Sequence, residues 1–291
     1  MFGRLFIVAL FIPLFCAGVG RDIHDVAYAP ENGVFGLGDL YLPDELNENT
    51  PVVLTIHGGG WSAGDRASWS GGARFFRDEI GFAAFNIEYR LASPTNPWPA
   101  CGNDCIHAAK WLLGPELERM SGLKPKKIWI CGGSAGGHLA LWTFVNLAPD
   151  EVVGVIAISP IGDPRIDAAV HADRYKRLGG GDVDLSDMDP CARIRSGMAP
   201  LLITHATRDT VVPIGSSRKF ETDFASLGNH VEFFEYADVI EPNQGGHCIW
   251  RPNENPHRLI TSIERRIASF TANGILQLDS IQCSANNNEG E

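Results

Sequence analysis

Six short apolar runs recur along this chain with helical patterns between them, and that alternation limits the fold more than any other feature. The runs are "PVVLTIH" (51–57), "FAAFNIEY" (82–89), "KIWIC" (127–131), "VVGVIAIS" (152–159), "LLITHAT" (201–207) and "VEFFEY" (231–236). Each is bounded by turn residues and rich in β-branched or aromatic side chains, as strands buried on both faces are. Between them lie "NDCIHAAKWLLG", "GGHLALWTFVNLA" and "SSRKFETDFASLG", and "PHRLITSIERRIASF" follows the last. In the third, Phe220, Phe224 and Leu227 are expected to share one buried stripe. Strands separated by helices predict an α/β architecture: a mostly parallel central sheet with helices on both faces. "LGDLYLP" near residue 40 is expected to add an antiparallel edge strand. Room for a cap exists only over residues 160–200, so any cap is small.

A chain of 291 residues with 44% hydrophobic and 20% charged side chains suits one such domain, expected over residues 21–274. The polar end "SANNNEGE" predicts a disordered tail within 275–291. A net charge of −11 disfavours binding to a phosphate backbone, so no nucleic-acid partner is expected. The stretch "MFGRLFIVALFIPLFCAGVG" joins one cation, Arg4, to an apolar run and then to small residues. That pattern predicts a signal peptide over residues 1–20 and a secreted or periplasmic protein. The run is shorter than the ~18 to 20 residues of a membrane span, so no stable span is expected. Loss of the leader would leave Cys101, Cys105, Cys131, Cys191, Cys248 and Cys283, whose spacing leaves their pairing open.

Parallel α/β sheets carry their chemistry on loops beyond the C-terminal ends of the strands. After "KIWIC" comes Gly132, then Ser134, then Gly136, leading directly into a helix. This G-x-S-x-G spacing sets a serine on a sharp strand-to-helix turn, where bulkier neighbours would collide. "PVVLTIH" runs into Gly58, Gly59, Gly60 and Trp61, and glycines there leave backbone N–H groups aimed at one point, as an oxyanion binder needs. "LLITHAT" is followed by Arg208 and Asp209, and "VEFFEY" by a loop holding His247. Serine, acid, histidine is the chain order of an α/β-hydrolase triad.

Together "HGGGWSAGDR", "EYRL", "PWPACGNDCIHAAKWL", "GGSAGGHLA" and "ATRDTVVP" resemble the secreted carboxylesterases of the α/β-hydrolase superfamily. That group includes acetylxylan and feruloyl esterases and stands near the hormone-sensitive-lipase and kynurenine formamidase groups. The resemblance spans about residues 35–270. It implies Ser134 as nucleophile, Asp209 as orienting acid, His247 as base, and the amides of Gly59, Gly60 and Ala135 as oxyanion donors. Two departures stand out: Cys248 follows the histidine, and "ADVIEPNQ" lengthens the loop before it.

The expected chemistry is hydrolysis of short-chain or carbohydrate-linked esters through an acyl-enzyme, with no cofactor and no metal. The expected partner is a small-molecule or polysaccharide-linked ester. An arylformamidase-like amide hydrolase and a non-catalytic binding module on a hydrolase scaffold are the alternatives. Trp61 and Trp250 flank motif residues and are expected to line the substrate pocket. His138 is expected to pack or bond rather than act as base, and His57 and His205 to brace loops. Asp163 is the second choice for the acid. "GGGDVDLSDMDP" lacks the glycine and glutamate positions of a calcium loop and reads as a solvated acidic loop ending in an N-cap at Asp189.

Overall fold

The computed structural model describes residues 20–176, 178, 184–237, 246, 247, 249, 250 and 257–288, with residues 275–288 as helical backbone alone. Apart from Gly20, the expected signal peptide lies outside the described residues. In chain order the main elements are β1 Arg21–Ala27, β2 Leu37–Leu42, β3 Val52–Ile56, α1 Ser70–Phe75, β4 Ala83–Ile87, α2 Ala100–Leu112, α3 Pro115–Ser121 and β5 Ile128–Gly133. There follow α4 Ala135–Asn146, β6 Val152–Ile158, α5 Pro164–Lys176, β7 Leu201–Ala206, α6 Ile214–Ser226, β8 Val231–Tyr236 and α7 Thr261–Asn288.

The strands form one sheet in the order β1-β2-β4-β3-β5-β6-β7-β8. From β4 through β3 to β8 every neighbouring pair is parallel; β1–β2 and β2–β4 are antiparallel. Side chains alternate across this sheet. Leu54, Ile56, Ile130, Leu201 and Ile203 join one core with residues of α2, α4 and α6. Val53, Trp129, Cys131, Ile156 and Leu202 join a second core with Ala73 and Phe75 of α1 and Ile263, Ile267 and Phe270 of α7. Both faces are therefore dry, which is why the strands read as unbroken apolar runs.

All six strands expected from those runs form. The segment near residue 40 is antiparallel as expected, but it is not the edge, because β1 pairs outside it. β1, "RDIHDVA", buries only Val26, so it has almost none of the apolar signal that marked the interior strands. Phe220 and Phe224 are fully buried, whereas Leu227 is 46% exposed. α6 ends at Ser226 and Leu227 (φ −93°, ψ 11°) has left helical register, so it drops off the expected stripe. Helical backbone also runs to Asn288, across most of the stretch expected to be a disordered tail. Among the described cysteines, Cys101, Cys105, Cys131 and Cys191 are all free thiols.

α4 is buried almost throughout, and His138 within it is fully buried. Its Nδ1 accepts a hydrogen bond from Trp61 Nε1 (3.2 Å), and its Nε2 donates to Met188 O (2.9 Å). The neutral ring is thus fully satisfied, and burial lowers its pKa to about 4, only partly offset by the Met188 carbonyl. An unfolded chain takes up that proton near its ordinary value of about 6.5. Stability from this group is therefore complete above pH ~7 and is lost as the pH falls toward 4, by about 3 kcal/mol. Thermal denaturation between pH 7 and 4 should show that slope, and His138→Gln, which has no proton to titrate, should flatten it.

Candidate active site

The turn after β5 is shaped by close approaches. A Cβ at Gly132 would lie 2.2 Å from Gly136 O, and one at Gly136 would lie 2.3 Å from Ile56 O. Only hydrogen fits at either place, so β5 and α4 pass within backbone contact of each other. Ser134 between them holds φ 58° and ψ −126°, a strained conformation for a side-chain-bearing residue. Its own N–H is donated to Ile158 O (2.8 Å), which locks the turn onto β6. Ala135 opens α4, where first-turn N–H groups have no intrahelical acceptor and the helix dipole is positive.

Opposite stands the loop after β3, in which Gly59, Gly60 and Trp61 all have positive φ. Beneath it His57 is fully buried and stacked on Tyr89, ring centroids 4.2 Å apart. His57 Nδ1 donates to Gly58 O (2.7 Å), its Nε2 faces Glu88 Oε2 at 3.5 Å, and Tyr89 OH donates to His57 O (3.0 Å). His57 braces the loop, as expected of it. Glu88 and Tyr89 complete that brace; their presence in "EYRL" was visible in sequence, but their role was not.

Asp209 sits just beyond β7 with its carboxylate buried. Oδ1 accepts the N–H groups of Val211 and Val212, both at 2.9 Å. Oδ2 receives His247 Nδ1 at 2.6 Å and faces His205 Nε2 at 3.3 Å. Burial alone would raise this carboxyl, but the hydrogen bonds from His205 and His247 and the charge of His247 outweigh it, holding it well below the usual carboxylate range. Gly246 explains how the histidine loop comes so near: its φ is +78°, and a Cβ there would lie 2.1 Å from Arg208 O. Asp163, the other candidate acid, binds Arg165 through both carboxylate oxygens.

A cavity of about 440 Å³ joins these parts. It is lined by Gly58, Gly59 and Gly60 on one side, by Ser134 and His247, and by Trp69, Val211, Ile249 and Trp250. Serine, histidine and the glycine loop thus open into one largely apolar space, with the acid bonded behind the histidine. Trp250 lines it as expected. Trp61 does not: it is fully buried, with its ring against His138 and Tyr175. Positive φ at Gly60 and Trp61 turns the chain so that this ring packs in the core, while the chain returns to the cavity at Gly64, Ser68 and Trp69, and the last supplies an indole. Trp69 lies 2% exposed, edge-on to Trp250 at 4.6 Å, and was missed because no motif marks it.

The segment 160–200 supplies α5 and a short turn at Cys191–Arg193. Asp189 accepts Cys191 N–H, but the N-cap of that turn is Pro190 rather than the expected Asp189, which is buried and paired with Arg165 rather than solvated. No cluster of three or more potential metal ligands occurs among the described residues, and none of their helices is long and apolar enough to cross a membrane.

Sheet order, nucleophile-type elbow and acid–histidine pair define an α/β-hydrolase fold. A truncated carbohydrate esterase from gut microbiota shares it with a TM-score of 0.69 at 20% identity, over 87% of this chain and 96% of that one. Esterase B of Lactobacillus rhamnosis does so with a TM-score of 0.71 at 17% identity, over 94% of this chain and 89% of the other. Residues 38–152 match the BD-FAE family model. Carboxylesterase NlhH of Mycobacterium tuberculosis is 35% identical over 112 residues, which are 37% of this chain and 34% of NlhH. Over part of its length the chain is thus similar to carboxylesterases, on an α/β-hydrolase fold, and it spans about a third of the length of that curated relative.

Proposed function

We propose that this protein is a serine carboxylesterase that cleaves short acyl groups from small or carbohydrate-linked alcohols by way of an acyl-enzyme. The observation that carries the reading is the His247–Asp209 bond of 2.6 Å behind a cavity that Ser134 and His247 both line. Ser134 Oγ attacks the ester carbonyl as His247 takes its proton at Nε2. Asp209 holds the opposite ring nitrogen and stabilises the imidazolium. The carbonyl oxygen, now negative, is met by the amides of Gly59, Gly60 and Ala135, the last with the α4 dipole behind it. His247 returns the proton to the leaving alkoxide. Water, deprotonated by the same ring, then releases the acid and restores Ser134.

The apolar walls favour a small acyl chain, and a carbohydrate esterase among the structural neighbours supports a sugar as the alcohol side. Export belongs to the same reading, supported by the pattern of residues 1–20. A p-nitrophenyl ester series from acetate to decanoate tests it: kcat/KM should peak between acetate and butyrate and decline by octanoate. No turnover of any member defeats the reading.

Trp69 should set that limit. A Cβ at Gly133, next to Ser134, would lie 2.4 Å from the Trp69 ring, so the indole stands directly beside the nucleophile. Each buried methylene gains about 0.8 kcal/mol. Trp69→Ala is expected to move the optimum two or more carbons longer and to raise the octanoate-to-acetate ratio about tenfold. An unchanged ratio in the folded variant would place the acyl wall elsewhere.

A further inference from the structure

The carboxylate of Asp209 faces two histidines, and the reaction uses only one. His205 lies within β7, fully buried, four residues before the acid (209 − 205). Its Nε2 stands 3.0 Å from Val212 O and 3.3 Å from Asp209 Oδ2. Both are acceptors, so Nε2 carries hydrogen and shares it between them as a three-centre bond whose longer arm reaches the carboxylate. On the far side of the ring, Nδ1 meets Ser217 Oγ at 2.9 Å, and that hydroxyl also reaches Pro160 O at 2.7 Å. If Ser217 donates to Nδ1 the ring is neutral; if it donates to Pro160 O the ring carries both protons. Nε2–H persists in either case.

We propose that His205 is a positioning residue that acts through Asp209: its Nε2–H holds Oδ2 in place and lowers the carboxylate's basicity toward His247. The inference rests on the triad reading above. A donor on Oδ2 withdraws electron density from the atom that stabilises the His247 imidazolium. Without that donor the carboxylate would hold the His247 imidazolium more strongly. The other charged groups nearby do not take this place. Arg174 of α5 donates to Val211 O (2.8 Å) but is paired with the buried Asp167. Arg165 is held by Asp163 and Asp189. Arg208 precedes the acid, and its carbonyl is what the histidine loop packs against. His138, on α4, is bonded to Trp61 and Met188.

Nitrogen NMR of the imidazoles, followed against pH, tests this without requiring turnover. In the unmodified protein His205 should show a protonated Nε2 throughout the range in which the fold persists. His205→Leu removes the donor, and His205→Gln keeps an N–H near the same position without a titrating ring. The Leu variant should raise the His247 titration midpoint by about half a pH unit or more, where one unit is a tenfold change in equilibrium. The Gln variant should stay near the unmodified value. With an active ester, the acid limb of kcat/KM should move by the same amount, and kcat should fall severalfold with KM little changed. A bare Nε2 on His205 overturns the proposal, and so does an unchanged His247 midpoint in His205→Leu. Should the Leu variant fail to fold, a Gln variant shifted as far as half a unit overturns it. Absence of esterase turnover would defeat the function proposed above while leaving the NMR result standing.

Discussion

Ser134→Ala is expected to abolish ester turnover while leaving the fold intact. The backbone bonds that define the turn, Ser134 N–H to Ile158 O and His138 N–H to Ser134 O, do not involve the side chain and persist in the variant. The strained φ of 58° is held by the glycines around it, so alanine takes the same place. What disappears is the oxygen that forms the acyl-enzyme. Loss of a triad nucleophile costs on the order of 10^6 in kcat. Steady-state hydrolysis of p-nitrophenyl acetate measures the loss, and a fluorophosphonate probe should label the unmodified protein and not the variant. Retention of more than a tenth of the activity would remove Ser134 from its proposed role.

Asp209→Asn should come next in effect, with kcat down about 10^4-fold. The arrangement around the side chain dictates which way the amide turns. Oδ1 must still accept the Val211 and Val212 N–H groups at 2.9 Å, so the NH2 is forced toward His247 and His205. Both histidines present N–H to that spot in the unmodified protein, so donor would meet donor. His247 can relieve this only by moving its proton from Nδ1 to Nε2, and in that tautomer it has no lone pair to receive the Ser134 proton. KM should change little, because Asp209 lies behind the histidine and does not line the cavity. Raising the pH should not rescue the variant, since the ring is neutral and merely in the wrong tautomer. A loss of less than tenfold would mean that another acid orients His247.

The two expectations differ in how visible their causes were before folding. Ser134, Asp209 and His247 could be found in sequence because each follows a recognisable strand and parallel strands end on one side of the sheet. Period and composition locate such strands when both faces are buried, as for β3 through β7. The same rule failed at β1, whose one buried residue leaves no pattern. Sequence order also supplied the division of work proposed for the three, because a serine on a G-x-S-x-G turn, a strand-end acid and a loop histidine follow the chain order of an α/β-hydrolase triad.

Tertiary structure alone decided which indole lines the cavity and which second imidazole faces the acid. In the sequence Trp61 directly follows the glycines of a strand end, whereas Trp69 stands in no motif. A positive φ at Trp61 leaves the first in the core, and the turn at Ala67–Trp69 delivers the second to the cavity. His205 reads as a polar interruption of an apolar strand, and the partners of this β7 side chain come from the acid loop and α6. Local rules of spacing follow the backbone of one element, so they reach the residues that a single strand end presents. A side chain's direction through a turn, and a hydrogen bond among three elements, depend on how those elements pack, and that is settled only when the whole sheet is closed between its helices.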